Sequence, residues 1–245
     1  MKVMFASVFK RYEEKYILTS AQYGEALKML SGSTVRDEYS ESLICSLYYD
    51  TPDKRLIRSS IEKPVYKEKL RLRCYGVPSG DSACFIELKK KYKGIVYKRR
   101  ITSCYDNAVS FMNGSNSAVE PSQIKNEIMY FGKFYGTLEP SYCIFYKRLA
   151  LYDKNDRNIR VTFDSDITAR NYDLDLKKGA YGERLTNGGV YIMEIKTAGA
   201  IPLNITDILT KIKAYPASFS KYGTAYKNSL NSEKNIKEKG EENCA

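Results

Sequence analysis

The chain contains no histidine. That absence removes the Ser-His-Asp triad, a histidine general base and every histidine-ligated metal site. Tryptophan is missing as well. The six cysteines, Cys45, Cys74, Cys84, Cys104, Cys143 and Cys244, form no CxxC pair, so a structural zinc site is not expected. They lie in apolar runs and read as buried free thiols of a reducing compartment. No segment approaches the roughly 18 apolar residues of a membrane span, and Met1 to Lys10 lacks the apolar centre of a signal peptide. No repeat and no Pro/Gly/Ser-rich linker divides the sequence. The chain reads as soluble and cytoplasmic, with one domain over residues 1–230. From Asn231 to Ala245 (NSEKNIKEKGEENCA) it reads as a disordered polar tail.

What is present is charge, tyrosine and alternation. Hydrophobic residues make up 43% of the 245 positions, enough for a core. Lys and Arg number 40 against 29 Asp and Glu, a formal net charge of +11 that points to a polyanionic partner. Eight segments alternate with period two: Phe9–Leu18, Leu43–Asp50, Val65–Tyr75, Ala83–Tyr92, Gly94–Ser103, Thr137–Tyr152, Ile159–Arg170 and Gly189–Thr197. Helices fit between them at Ser20–Leu30 with Ser20 as cap, Pro52–Ile61, Pro121–Tyr135 and Ile205–Ala214, and a last one begins near Ser218. The pattern predicts a mainly β (α+β) fold, a closed antiparallel barrel of about eight strands with flanking helices.

The charges keep to one face of these strands, since residues i and i+2 point the same way. Lys67, Lys69, Arg71 and Arg73 oppose Leu70, Leu72 and Cys74. Glu87, Lys89, Lys91 and Lys93 oppose Ile86 and Leu88. Arg160, Thr162, Asp164 and Asp166 oppose Val161, Phe163 and Ile167, and Glu194 with Lys196 opposes Met193 and Ile195. Arg11, Glu13 and Lys15 share a face, as do Lys98 and Arg100, while Arg148 opposes Phe145 and Leu149. On one strand this describes a solvated outer face. Repeated over most of the strands, with helices needing the apolar side, it places the charges inside the barrel. Same-face cations about 7 Å apart repel by about 2 kcal/mol at an effective dielectric near 20. An inward set therefore calls for an anion. Glu13, Glu87 and Glu194 either neutralise cations or hold a divalent metal. A narrow basic tunnel fits a triphosphate tail or a polyphosphate chain.

The run RYEEKY, then YKEKLRLRCYG, FIELKKK, KGIVYKRR, YKRLALY, IRVTFD, MEIKT and SFSKYG resembles the VTC domain, in order, from about Phe9 to Leu230. VTC stands for the vacuolar transporter chaperone polyphosphate polymerases and their bacterial relatives, within the triphosphate tunnel metalloenzymes. The resemblance implies a polyphosphate polymerase that takes the γ-phosphate of ATP onto a growing chain with Mn²⁺ or Mg²⁺. Its partners would be ATP and inorganic polyphosphate, pyrophosphate or triphosphate, with no nucleic acid, and a membrane-protein partner at the periphery stays open. It further implies that Lys15, Arg71, Arg73, Lys89, Lys98, Arg100, Arg148 and Arg160 contact phosphates, with Lys196 and Lys69 on the same faces. Glu194 would hold the metal, and Ser220 and Lys221 would bind phosphate at the start of the last helix. The sequence departs from relatives at Ser218, where a further cation is expected. Arg11, Glu13 and Lys15 also replace the two-glutamate ExExK motif of the hydrolytic branch. A tunnel triphosphatase and a non-catalytic polyphosphate or inositol-phosphate binding module are the alternatives. Among the remaining residues, Lys91 and Lys93 read as a solvated strand end. Asp164 reads as orienting Arg160, and Tyr48, Tyr49 and Tyr66 as core or barrel wall.

Overall fold

Alternation sets the strands of the computed structural model, which describes residues 12–242, with side chains except at 37–39 and 233–242. The strands are β1 (Tyr12–Thr19), β2 (Thr34–Asp50), β3 (Tyr66–Tyr75), β4 (Ala83–Tyr92), β5 (Ile95–Cys104), β6 (Glu139–Asp153), β7 (Arg160–Arg170), β8 (Glu183–Arg184) and β9 (Val190–Thr197). The helices are α1 (Ser20–Leu30), α2 (Arg55–Ile61), α3 (Tyr105–Met112), α4 (Gln123–Tyr135), α5 (Leu203–Lys211) and α6 (Lys221–Glu242). Arg11 and Cys244 lie outside the described residues.

All strand pairs are antiparallel, in the order β1-β9-β7-β6-β2-β3-β4-β5, with β8 beside β7. Among the described residues no backbone pairing joins β1 to β5. The sheet curls into a barrel-like tunnel whose open seam is bridged by side chains: Lys89 Nζ of β4 donates to Glu13 Oε2 of β1 at 2.8 Å.

The outer face carries two apolar clusters, each under helices. Leu70, Leu72, Ile86 and Leu88 pack beneath Ala108 and Phe111 of α3 and Ile128 and Phe131 of α4. Tyr16, Leu18, Phe163, Met193 and Ile195 pack beneath Ala26 and Leu30 of α1 and Ile205, Ile208 and Leu209 of α5. Thr19 rather than Ser20 caps α1, in a reciprocal box with Gln22.

The inner face is less uniformly charged than the sequence predicts. A third cluster of Ile44, Tyr48, Ile144, Tyr146, Ile167 and Ile192 is completed by Ile57 of α2 and by Tyr222 and Ala225 of α6. A β-bulge makes this possible. The β6–β7 register shifts between Phe145 and Lys147, and Asp166 adopts φ 50. The bulge inverts the alternation beyond it. Asp166 therefore leaves the face of Asp164 to pair with exposed Lys147 at 2.9 Å, and Ile167 joins the inner cluster, the reverse of the sequence reading.

Helix α6 is held to the barrel at its start. Ser220 Oγ accepts from the Gly223 N–H at 3.1 Å, and Tyr222 donates its hydroxyl to Asp50 Oδ2 at 2.7 Å. Asp50, fully buried, also accepts from the Leu56 and Ile57 amides that open α2, so one carboxylate fastens both helices. The helix continues past Asn231, where the sequence reading places a tail; the added residues are mostly good helix formers such as Lys and Glu. Four of the five described cysteines are buried free thiols, and Cys104 is half-buried.

Candidate active site

Three buried carboxylates organise the tunnel's cations. Glu87 on β4 is the first. Arg71 donates to its Oε2 from Nε at 3.0 Å and from Nη2 at 2.8 Å. Arg73 Nη2 reaches Oε1 at 2.5 Å, and Lys98 Nζ lies 2.6 Å from the same oxygen. Glu87 keeps 1% of its surface exposed. Burial alone would raise its pKa, but Arg71, Arg73 and Lys98 together hold it well below the usual carboxylate range.

Asp164 on β7 is the second. It accepts from Arg148 Nε at 2.6 Å and Nη2 at 2.8 Å, and from Lys221 Nζ at 2.5 Å. Burial opposes its charge, yet Arg148 and Lys221 keep its pKa low. Asp164 thus orients Arg148 and Lys221, not Arg160 as the sequence suggests. Glu194 on β9 is the third, buried, with Lys196 Nζ at 3.4 Å and Lys15 Nζ at 3.9 Å. Against the burial penalty, Lys196 and Lys15 hold it ionised, with Lys89 and Arg148 behind them.

Glu13 is ion-paired to Lys89 and faces Glu194. Lys69 Nζ stands 3.0 Å from Ser220 Oγ. Arg100 lies with its Cζ 4.6 Å from the Phe85 ring centre, and Arg160 Cζ is 4.9 Å from that of Tyr152; neither has an ion-pair partner among the described residues. Every sequence-predicted site residue therefore stands on an inward strand position or at the start of α6. Glu87 and Asp164, the organisers of two clusters, are the residues that sequence reasoning undervalued. Their signal was register: Glu87 sits opposite both Arg71 and Arg100, and Asp164 opposite Arg148.

Two features make this lining a receptor for an anion. Eleven cationic side chains, those at 15, 69, 71, 73, 89, 98, 100, 148, 160, 196 and 221, face four carboxylates, at 13, 87, 164 and 194, an excess of seven. In addition, the buried side-chain polar atoms without a hydrogen-bond partner among the described residues are Ser46 Oγ, Arg73 Nε, Arg160 Nε and Thr162 Oγ1. All four belong to inward positions. A buried unpaired polar atom costs about 1–3 kcal/mol, so four on one surface mark where solvent or a ligand supplies the missing bonds.

The excess charge also shifts lysines. Burial pushes Lys69 down to about 7, and Lys89, Lys67, Lys15 and Arg71 push the same way. Lys98 is likewise pushed down to about 7 by burial, against the attraction of Glu87. In the unfolded chain both hold their protons to about pH 10.4. Between about pH 7 and 10.4 the unfolded chain binds more protons, so the ligand-free fold gains stability as pH rises through that window and loses it as pH falls through 7. A bound triphosphate raises both pKa values. Triphosphate binding at pH 8 is therefore expected to take up protons and to weaken toward pH 9. Calorimetry in two buffers of different ionisation heat checks this, and equal heats in both would refute it.

With this geometry in place, comparison with known proteins is decisive about family. The VTC domain matches residues 10–230. The chain belongs to the VTC domain family. Its fold is similar to that of a Bacillus halodurans protein named as an adenylate cyclase, at 15% identity and TM-score 0.53, over 86% of this chain and 95% of that one. It is equally similar to a Hippeastrum protein named as an adenylyl cyclase and described as having a dominant triphosphatase activity. That match has 15% identity and TM-score 0.53, over 90% of this chain and 96% of that one. No curated protein matches. The VTC chain thus has the triphosphate tunnel fold, and among its described residues no helix is long and apolar enough to cross a membrane.

Proposed function

We propose that this VTC domain is a polyphosphate polymerase that transfers the γ-phosphoryl group of ATP to the end of an inorganic polyphosphate chain lying in the tunnel. The observation that carries the reading is the inward set of cations in excess over carboxylates, together with the four unpartnered buried polar atoms among them. A polyphosphate chain supplies negative charge and acceptor oxygens along its whole length, which matches a lining that is cationic from Arg100 to Lys221. Such a wall stabilises charge on a transferring phosphoryl group without a covalent protein intermediate.

The acceptor can be argued from the carboxylates. Attack by water needs a base. Glu13, Glu87, Asp164 and Glu194 all have lowered pKa values because each is ion-paired, which makes them weak bases. The terminal oxygen of a polyphosphate is already an anion and needs none. None of these carboxylates is therefore suited to draw a proton from water for hydrolysis, the activity described for the Hippeastrum protein.

Glu194 fits a divalent ion as donor. Its carboxylate is buried at the tunnel wall beside Glu13, and no group of three or more His, Cys, Asp or Glu gathers among the described residues. That donor set suits Mg²⁺ or Mn²⁺, which accept one or two carboxylates and take their other ligands from phosphates and water. When bound, such an ion neutralises charge on the phosphate oxygens. The cations of the chain meanwhile orient the phosphates: Arg71 and Arg73 from β3, Arg148 from β6, Lys221 from α6.

Incubation of the protein with ATP and Mn²⁺, resolved on a polyacrylamide gel, is expected to give long polyphosphate. Free phosphate alone would overturn the polymerase reading in favour of hydrolysis. Glu194→Gln is expected to remove most synthesis at every metal concentration while metal-free triphosphate binding persists or tightens, since one negative charge has gone. Near wild-type synthesis by that variant would remove Glu194 from the metal site.

A further inference from the structure

The inward stripe of β3 changes character along its length. At one end, Arg71 and Arg73 share the buried carboxylate of Glu87. At the other, lysines face lysines: Lys69 stands directly opposite Lys89 of β4, and Lys67 directly opposite Lys91. Like charges placed directly across a strand pair destabilise a sheet. Lys89 is compensated by Glu13. Lys67 and Lys91 have no ion-pair partner among the described residues. The outer face of the same two strands does not share this feature. There Glu68 stands opposite Lys90 and pairs with it at 3.5 Å. Two strands thus neutralise a rung that faces outward and leave the like-charged rungs on either side of it facing inward.

The Lys67–Lys91 rung joins the tunnel to its surroundings. Lys67 is half-buried, and its Nζ donates to the Ser60 carbonyl of α2 at 3.4 Å. Burial, then Lys91, Lys89, Lys15 and Lys63, all act against its charge, so cations from β1, β4 and the turn after α2 converge on this point. Lys91 and Lys63 are exposed. Lys93 does not belong with them. It sits in the β4–β5 turn at φ 46, with Nζ 5.4 Å from the centre of the Tyr92 ring, which has the outward parity of Lys90. From Arg73 to Lys67 the stripe runs six residues, about 20 Å at the usual strand rise. A ligand of three phosphates held at Arg71 and Arg73 leaves the last rung bare, whereas a longer linear polyanion reaches it. The opposite mouth is built from rings: Arg73 and Arg100 lie 5.9 and 4.6 Å from the centre of Phe85, beside exposed Tyr75.

We propose that Lys67 and Lys91, with Lys63 beyond them, form an exit track that binds inorganic polyphosphate as it leaves the tunnel. The chain emerges on the side of α2 and the β4–β5 turn. The inference rests on the polymerase reading and adds to it a direction for the product. It also separates Lys91 from Lys93, which the sequence alone groups as a solvated strand end.

Calorimetry of the metal-free protein with inorganic triphosphate and with long-chain polyphosphate, over a range of salt concentrations, tests this. Lys67→Gln together with Lys91→Gln is expected to weaken polyphosphate binding about tenfold and triphosphate binding by under about twofold. The salt dependence of polyphosphate binding should become shallower, because two phosphate contacts have gone. Lys91→Gln alone, at an exposed site, should show roughly threefold of that loss without touching the Ser60 contact. Lys93→Gln removes the same charge nearby and is expected to change neither ligand. On a product gel the double variant should give shorter chains. Equal loss for both anions would overturn the track by placing the rung in the triphosphate site. No loss for either, or an equal loss in Lys93→Gln, would return these lysines to a solvated strand end. A single-stranded oligonucleotide that binds the wild type as tightly, and loses as much in the double variant, would overturn the assignment to polyphosphate. Should the gel show free phosphate alone while the calorimetric split holds, the polyphosphate site stands and the polymerase reading falls. A wild-type chain that binds neither anion would overturn the tunnel reading and the track with it.

Discussion

Arg71→Ala is expected to cut phosphoryl transfer by on the order of a hundred- to a thousand-fold, the usual effect of deleting one well-placed donor to transition-state charge, about 3 kcal/mol. The protein should nevertheless melt within a few degrees of wild type. Glu87 and Tyr48 favour the charge of Arg71, but it is also one of eleven tunnel cations facing four carboxylates, so its loss removes repulsion from Arg73 and Lys98 that offsets part of the cost. Glu87 does not become an unpaired buried charge, because Arg73 Nη2 at 2.5 Å and Lys98 Nζ at 2.6 Å remain bound to it. The Tyr48 hydroxyl loses the Arg71 donor at 2.9 Å but keeps its own proton to give. Activity assays and thermal melts on one preparation separate the two effects. A variant that simply unfolds would show that Arg71 supports the fold rather than the reaction.

That separation depends on knowing which side of the sheet faces inward, and most of this was legible in the sequence. In β3, β4 and β9 the strict alternation of Leu70, Leu72, Ile86, Leu88, Met193 and Ile195 with charged residues left one solution once helices claimed the apolar face. The observed strand bounds follow the sequence-based ones to within a few residues, except at β2. Its first half, from Thr34, is polar and carries no two-residue rhythm, and the β2–β6 register is broken between Arg36 and Glu41. Helix α3 was also invisible: it has eight residues and no side-chain cap.

What the sequence could not reveal was pairing across the tunnel. Glu13 and Lys89 lie 76 positions apart, and Asp164 and Lys221 lie 57 apart; no local period encodes either contact. The bulge at Asp166 was hidden for a related reason. A single left-handed residue, here at φ 50, inverts the facing of all that follows and leaves the hydrophobicity pattern intact. The apolar plug formed by Ile167, Ile192 and Tyr222 depends on that inversion.

The Glu87 cluster carries the largest expected change in stability. Glu87→Gln preserves size and removes the charge that Arg71, Arg73 and Lys98 share. Losing one partner from a buried ionic group costs about 3–5 kcal/mol, because the others are left uncompensated. For a chain of this length that corresponds to a melting point lower by roughly 6–20 °C. The dependence on pH follows from the lowered pKa of Glu87. Its stabilising contribution is complete above the unfolded carboxyl value of about 4.3 and fades as pH falls through the lower folded value, so the wild-type advantage should shrink in acid. Anions give the sharper test. Triphosphate brings its own negative charge to the same cations, so it should raise the melting point of Glu87→Gln more than that of wild type, by mass action on a folded state that now binds it more tightly. High salt should narrow the gap between the two proteins by screening the exposed part of the repulsion. Thermal melts of both proteins, with and without millimolar triphosphate, measure all of this together. Equal ligand-induced shifts would mean that Glu87 is a structural anchor whose cations never meet the substrate.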